Sequence, residues 1–121
     1  MKRILLAEDE PVLRMLVVDT LEDEGYVLDE ACDGQEACDR IAAGRYDLII
    51  VDYMMPKKTG LEVIREARVG ASATDAKILM LSAKNQQTER DKALEAGADA
   101  FMSKPFSPLD LVARVEDMLG G

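Results

Sequence analysis

Five short apolar runs, each followed by a segment whose apolar residues recur at three- and four-residue spacing, divide this chain of 121 residues. Ile4 to Ala7 is the first run, and Leu13, Leu16, Val17 and Leu21 continue at helical spacing until Gly25 stops them. Tyr26 to Cys32 reads as a second strand, with Ala37, Ile41 and Ala42 marking a short helix before Gly44. Leu48 to Val51 is the third and most strand-like run, and Leu61, Val63, Ile64 and Ala67 give the helix after Gly60. Ile78 to Leu81 is the fourth strand, and a charge pattern from Thr88 to Ala96, ended by Gly97, marks the helix behind it. Ala98 to Met102 reads as the fifth strand, and Leu111, Val112, Val115, Met118 and Leu119 stripe a last helix that starts at Ser107 or Pro108.

Strand–helix–strand units of this length cross over with one hand, so five of them predict a doubly wound α/β domain. Its five-stranded parallel sheet, in the order 2-1-3-4-5, is covered by helices on both faces. The whole of residues 1–121 reads as one such domain, with no linker. Nothing after Gly121 reads as an output domain, which leaves a stand-alone protein or one part of a longer chain. In sheets of this kind ligands bind outside the carboxyl ends of the strands, where the strand order reverses between strands one and three.

Charge and composition remove several classes of function. With 24 acidic and 15 basic side chains the net charge is −9, so direct binding to nucleic acid or to an anionic membrane is not expected. Cys32 and Cys38 have five residues between them and histidine is absent, which cannot supply a structural zinc site. Both cysteines are expected to be reduced thiols used in packing. The opening MKRILLAEDE carries too short an apolar run for a signal peptide or a membrane span, so a cytoplasmic protein is expected.

The strand ends carry the chemistry. Glu8 and Asp9 follow the first strand, Asp52 the third, Ser82 the fourth, and Lys104-Pro105 the fifth. Three carboxylates gathered at one edge repel one another unless a cation intervenes, and an all-oxygen donor set suits a hard ion such as Mg²⁺. Asp52 could then act as a nucleophile toward a phosphoryl donor, with Lys104 as a second positive charge and Ser82 as a hydroxyl donor to the transferred group. Singly, each residue has a plainer explanation: Asp52 as a loop acid, Glu8 and Asp9 as caps of the first helix, Phe101 as core filling. The argument lies in their joint position.

Those motifs, LLAEDEP, LIIVDYMMPKKTG, MLSA, GADAFMSKPF and PLDLVARVEDML, resemble the receiver domains of two-component response regulators over essentially the whole chain. The resemblance implies phosphorylation of Asp52 by a sensor histidine kinase or phosphotransfer protein. It also implies Mg²⁺ bound by Asp9, Asp52 and the Met54 backbone carbonyl, with Glu8 acting through water. Lys104, followed by a cis Pro105, would assist the chemistry at Asp52, and the protein would not be an enzyme, catalysing only its own phosphorylation and dephosphorylation. Ser82 and Phe101 match the switch residues, Phe101 without the hydroxyl often found there. Met54 and Lys84 flank the phosphoryl site; Met54 cannot orient an attacking water as an amide or acid could and Lys84 would cover the phosphoryl group, so slow self-dephosphorylation is expected. Arg90, Glu95, Asp99, Asp110 and Arg114 resemble the face on which receivers of winged-helix transcription regulators dimerise, although Ala100 stands where those usually carry an acid. A homodimer or a different protein partner on that face is therefore expected on phosphorylation.

Two other classes fit less well. A flavodoxin-type flavin protein would need a phosphate-cradling Ser/Thr/Gly loop where this chain has Glu8-Asp9-Glu10-Pro11. A haloacid-dehalogenase-type phosphatase would usually carry an acid two residues after its nucleophile, where this chain has Met54.

Overall fold

The structure, a computed structural model, describes residues 1–70, 73–83 and 87–120. Its elements alternate as β1 (Arg3–Ala7), α1 (Pro11–Glu22), β2 (Val27–Ala31), α2 (Gly34–Ala43), β3 (Leu48–Asp52), α3 (Gly60–Ala67), β4 (Lys77–Ser82), α4 (Gln87–Ala96), β5 (Ala100–Ser103) and α5 (Pro108–Met118). All strand pairs are parallel, in the order β2-β1-β3-β4-β5 expected of the five repeats.

Side chains alternate across a strand, and here the alternation divides the core in two. Ile4, Leu6, Leu48, Ile50, Leu79 and Leu81 pack with Val17 and Leu21 of α1 and Leu111 and Val115 of α5. Leu5, Ala7, Ile49, Val51, Ile78 and Met80 pack on the other face with α2, α3 and Ala93 of α4. Both faces of β3 are covered, which explains why its sequence is an unbroken apolar run ending in an acid.

Caps fix the helix starts. Asp33 accepts the Glu36 amide at 2.8 Å, Thr59 and Glu62 form a reciprocal capping box, and Ser107 accepts the Asp110 amide at 3.1 Å. At α1, by contrast, Pro11 opens the helix after Glu10, whose side chain makes no capping bond.

Some expectations shift. β5 starts at Ala100, not Ala98, because the Ile78 amide is taken at 2.8 Å by the Asp99 carboxylate in place of a backbone carbonyl. β2 stops at Ala31 because the Cys32 amide turns to the Glu36 carboxylate at 2.7 Å. Leu16 is 43% exposed, since the buried side of α1 runs through Val17 and Leu21. Ala42 is exposed, and so is Cys32, which does not pack as expected; Cys38 does pack against the α2–α3 core.

Candidate functional site

Register and alternation together bring the predicted residues to one place. Ala7 pairs with Val51, so Glu8 and Asp52 are the next residues along adjacent strands. Each lies one period beyond Leu6 and Ile50, on the α1–α5 side of the sheet. Lys104 lies one period beyond Met102, which packs on that same side. The Lys104 ammonium reaches Asp52 Oδ1 at 2.7 Å and Glu8 Oε1 at 3.0 Å. The Lys104–Pro105 peptide is cis, and the Lys104 amide donates to the Ser82 carbonyl at 2.8 Å.

Glu8 is 1% exposed and Asp52 6%, whereas Asp9 stands at the rim, exposed. One carboxylate oxygen from each of the three lies within 4.8 Å of the others. Burial pushes the Glu8 carboxyl up to about 7; the hydrogen bond from Lys104 opposes the rise and the neighbouring charge of Asp52 adds to it. Burial works against the Lys104 charge, but hydrogen bonds to Asp52 and Glu8 outweigh it and hold the ammonium above its ordinary range. Glu8 Oε2 is fully buried with no hydrogen-bond partner. A buried carboxylate oxygen left in this state is costly, and a hard cation among oxygen donors would relieve both that cost and the mutual repulsion. The residues present therefore fit a divalent ion of the Mg²⁺ type.

The loop after β3 is drawn close to this cluster. The Gly60 amide donates to the Tyr53 carbonyl at 2.8 Å, and a Cβ at residue 60 would collide with the Asp52 carbonyl oxygen. Met54, on that loop, is 62% exposed. Lys84 lies outside the described residues.

Phe101 lies on the other face. Ser82 lies one period past Met80, and Phe101 pairs with Met80 and packs in the α2–α3–α4 core. Both are buried. Of the predicted partner surface, Arg90, Glu95, Asp110 and Arg114 are exposed on α4 and α5. Arg90 already has an internal contact, its guanidinium lying 5.3 Å from the Phe101 ring centroid. Asp99 is set apart from them: it pairs with Arg68 at 2.9 Å at the amino-terminal end of the sheet.

Two residues at or beside the site carry no motif of their own. Glu89 of α4 is buried, faces the Tyr53 hydroxyl, and by hydrogen bonding there, with burial adding, pushes the Tyr53 phenol upward. Arg14 of α1 reaches back to the Glu8 carbonyl at 2.8 Å. The one sequence cue to Arg14 is a basic residue in the helix that directly follows three acids.

A doubly wound α/β domain with a carboxylate cluster and a lysine at the switch point of its sheet is the class that these features define. The family model for the response regulator receiver domain matches residues 4–116, and the chain belongs to that family. It is 41% identical to the transcriptional regulatory protein ResD of Bacillus subtilis over 117 residues, covering 97% of this chain and 48% of that protein. The chain thus spans about half the length of the curated relatives it matches. Among solved structures, chemotaxis protein CheY4 of Vibrio cholerae superposes with a TM-score of 0.92 at 32% identity, covering 98% of this chain and 99% of that one. The receiver domain of sensor histidine kinase PA1611 from Pseudomonas aeruginosa superposes at 0.90 with 30% identity, covering 99% and 98%, and carries a magnesium ion in its active-site cleft. Among the described residues, no helix is long and apolar enough to cross a membrane.

Proposed function

We propose that Asp52 accepts a phosphoryl group from a histidine kinase or phosphotransfer protein in a Mg²⁺-dependent reaction, and that the change is read on the α4–β5–α5 face. The observation that carries this reading is the buried Asp52–Lys104–Glu8 cluster, with its unpartnered carboxylate oxygen, at the switch point of the sheet. Asp9, Asp52 and the Met54 carbonyl would hold the ion, with Glu8 acting through water. Bound there, Mg²⁺ supplies positive charge that offsets the charge on the phosphoryl oxygens.

The side chains of this chain do the rest. An Asp52 carboxylate oxygen attacks the phosphorus of a phosphoimidazole; the O–P bond forms as the N–P bond breaks, and the electron pair stays on the imidazole nitrogen, which takes up a proton from water. Lys104 holds the attacking carboxylate in place and faces the incoming oxygens. Ser82 donates to a phosphoryl oxygen, Phe101 shifts with it, and one of two pre-existing arrangements of the α4 side becomes favoured. The domain, acting over residues 1–121 in the cytoplasm, catalyses only its own phosphorylation and dephosphorylation. Arg90, Glu95, Asp110 and Arg114 form the responding surface, for a second copy or another protein.

Intact mass after incubation with acetyl phosphate and Mg²⁺ tests this. The wild type should gain one phosphoryl group, and Asp52→Asn should gain none. Labelling of Asp52→Asn at the wild-type level, or labelling undiminished by EDTA, overturns the assignment. Sedimentation with and without beryllofluoride separates the two outputs: a dimer that appears only with the phosphoryl mimic and is lost in Arg114→Glu supports self-association, and a monomer throughout leaves docking of another protein.

A further inference from the structure

The three acids that follow β1 have little to hold them. β1 ends at Ala7, α1 begins at Pro11, and Glu10 makes no side-chain cap, so the ladder and the helix both stop short of Glu8-Asp9. On one side the Glu8 amide donates to the Ala31 carbonyl at 3.0 Å. On the other, Arg14 Nη1 donates to the Glu8 carbonyl at 2.8 Å. The same guanidinium is anchored through Nε to Glu30 Oε1 of β2 at 3.2 Å, and the Arg14 side chain is only 22% exposed.

A peptide unit is planar, so fixing the Glu8 carbonyl fixes the plane that ends in the Asp9 nitrogen. Asp9 is exposed, and the direction of its carboxylate therefore depends on the backbone that carries it. Glu8, whose side chain is buried on Lys104, sits at the other end of that plane. We propose that Arg14 is a positioning residue for the cation site: by gripping the Glu8 carbonyl it holds the Glu8-Asp9 peptide so that both carboxylates converge with Asp52. The guanidinium also places a fixed positive charge behind the three consecutive acids, which limits their mutual repulsion before any ion binds. This inference rests on the reading of the acid cluster as a divalent site, and it concerns how the chain prepares that site.

The test is a Mg²⁺ titration of the 121-residue chain followed by backbone amide chemical shifts, with no phosphoryl donor present. Arg14→Met keeps the aliphatic stem and removes the donors; it should weaken Mg²⁺ binding about tenfold, the lower end of what partners outside the ligand shell contribute. Arg14→Lys should recover part of that loss, because an ammonium can reach the carbonyl but cannot also hold Glu30. At saturating Mg²⁺ the acetyl phosphate labelling of Arg14→Met should return to the wild-type level, an outcome that general damage to the fold would not give. Should Arg14→Met not fold, Glu30→Gln loosens the same anchor at a half-exposed position and should weaken binding in the same direction by a smaller factor. Unchanged Mg²⁺ affinity in the folded variants, or a labelling defect that persists at saturation, overturns the proposal. A wild type that binds Mg²⁺ but takes no phosphoryl group sinks the phosphoacceptor reading and leaves the Arg14 comparison readable; a wild type that binds no Mg²⁺ sinks both.

Discussion

The two ends of the sheet use the same kinds of side chain to opposite effect. At the amino-terminal end Arg3 pairs with Asp29 at 2.8 Å, the Tyr46 hydroxyl donates to the same Asp29 oxygen at 2.8 Å, and Asp47 accepts the Arg3 amide at 2.8 Å. Further along, Arg68 donates to the carbonyls of Gly97, Thr74 and Ala76 and pairs with Asp99. Each charged group there has a partner, and the hydrogen bonds tie loops to strands. At the carboxyl-terminal end one lysine faces two buried carboxylates with a third at the rim, and a buried oxygen is left over. The first arrangement is complete by itself. The second lacks a positive charge, and that deficit is what suits it to the proposed cation and then to the proposed phosphoryl group.

The largest expected effect belongs to the balanced end. Arg68→Ala leaves three carbonyls without this donor and the Asp99 carboxylate with only the Ile78 amide, and should cost about 2–4 kcal/mol in denaturant unfolding, as for other broken part-buried networks. Mg²⁺ affinity should be unchanged, since nothing at the other end is touched; a large loss of Mg²⁺ binding by a folded variant would show that the two ends are not separable.

At the unbalanced end the expected effect depends on pH. Glu8 is raised on folding from 4.5 to about 7, so the folded protein holds a proton there that the unfolded chain releases. Its contribution to stability is fully present below pH 4.5 and is lost as pH rises through 7. In EDTA, stability should fall across that window by roughly 1–3 kcal/mol, Glu8→Gln should flatten the fall, and Mg²⁺ should offset it. Thermal unfolding at a series of pH values measures this, and a flat wild-type profile in EDTA would contradict it.

Smaller still is the effect expected at Met54, which is exposed on the loop after the proposed phosphoacceptor Asp52 and cannot hydrogen-bond an attacking water. Met54→Asn should speed loss of the phosphoryl group several-fold, about 1 kcal/mol in the barrier. Decay of the labelled protein after removal of acetyl phosphate gives the rate, and equal rates would show that water is positioned from elsewhere. Smallest is Arg3→Gln, which removes the half-exposed ion pair with Asp29 and leaves the Tyr46 hydroxyl bond in place, about 0–1 kcal/mol with no dependence on Mg²⁺.

Much of this was legible in the sequence because it follows from short-range periodicity. The five repeats give the strand order, and alternation from Leu6 and Ile50 carries Glu8 and Asp52 to the same side of adjacent strands. What was not legible depends on partners distant in the chain. Asp99 reads as a surface acid until Arg68, 31 residues away, claims it. Arg90 reads as a free rim charge until the Phe101 ring is seen beneath it. Glu89, in the most polar of the helices, gives no periodic signal for burial, because its environment is made by Tyr53 on a different element. Leu16 fits the helical stripe by spacing, yet the narrow seat of α1 on the sheet leaves it outside.

The most direct measurement is chemical. Acyl phosphates are reduced by borohydride to the corresponding alcohol, so treating the labelled protein converts the phosphorylated carboxylate into a permanent mark that peptide mass spectrometry can locate. The account predicts homoserine at position 52, formed with acetyl phosphate and Mg²⁺ and absent in EDTA. Reduction at Glu8 or Asp9 instead, or no reduced residue in a protein that binds Mg²⁺, would contradict it.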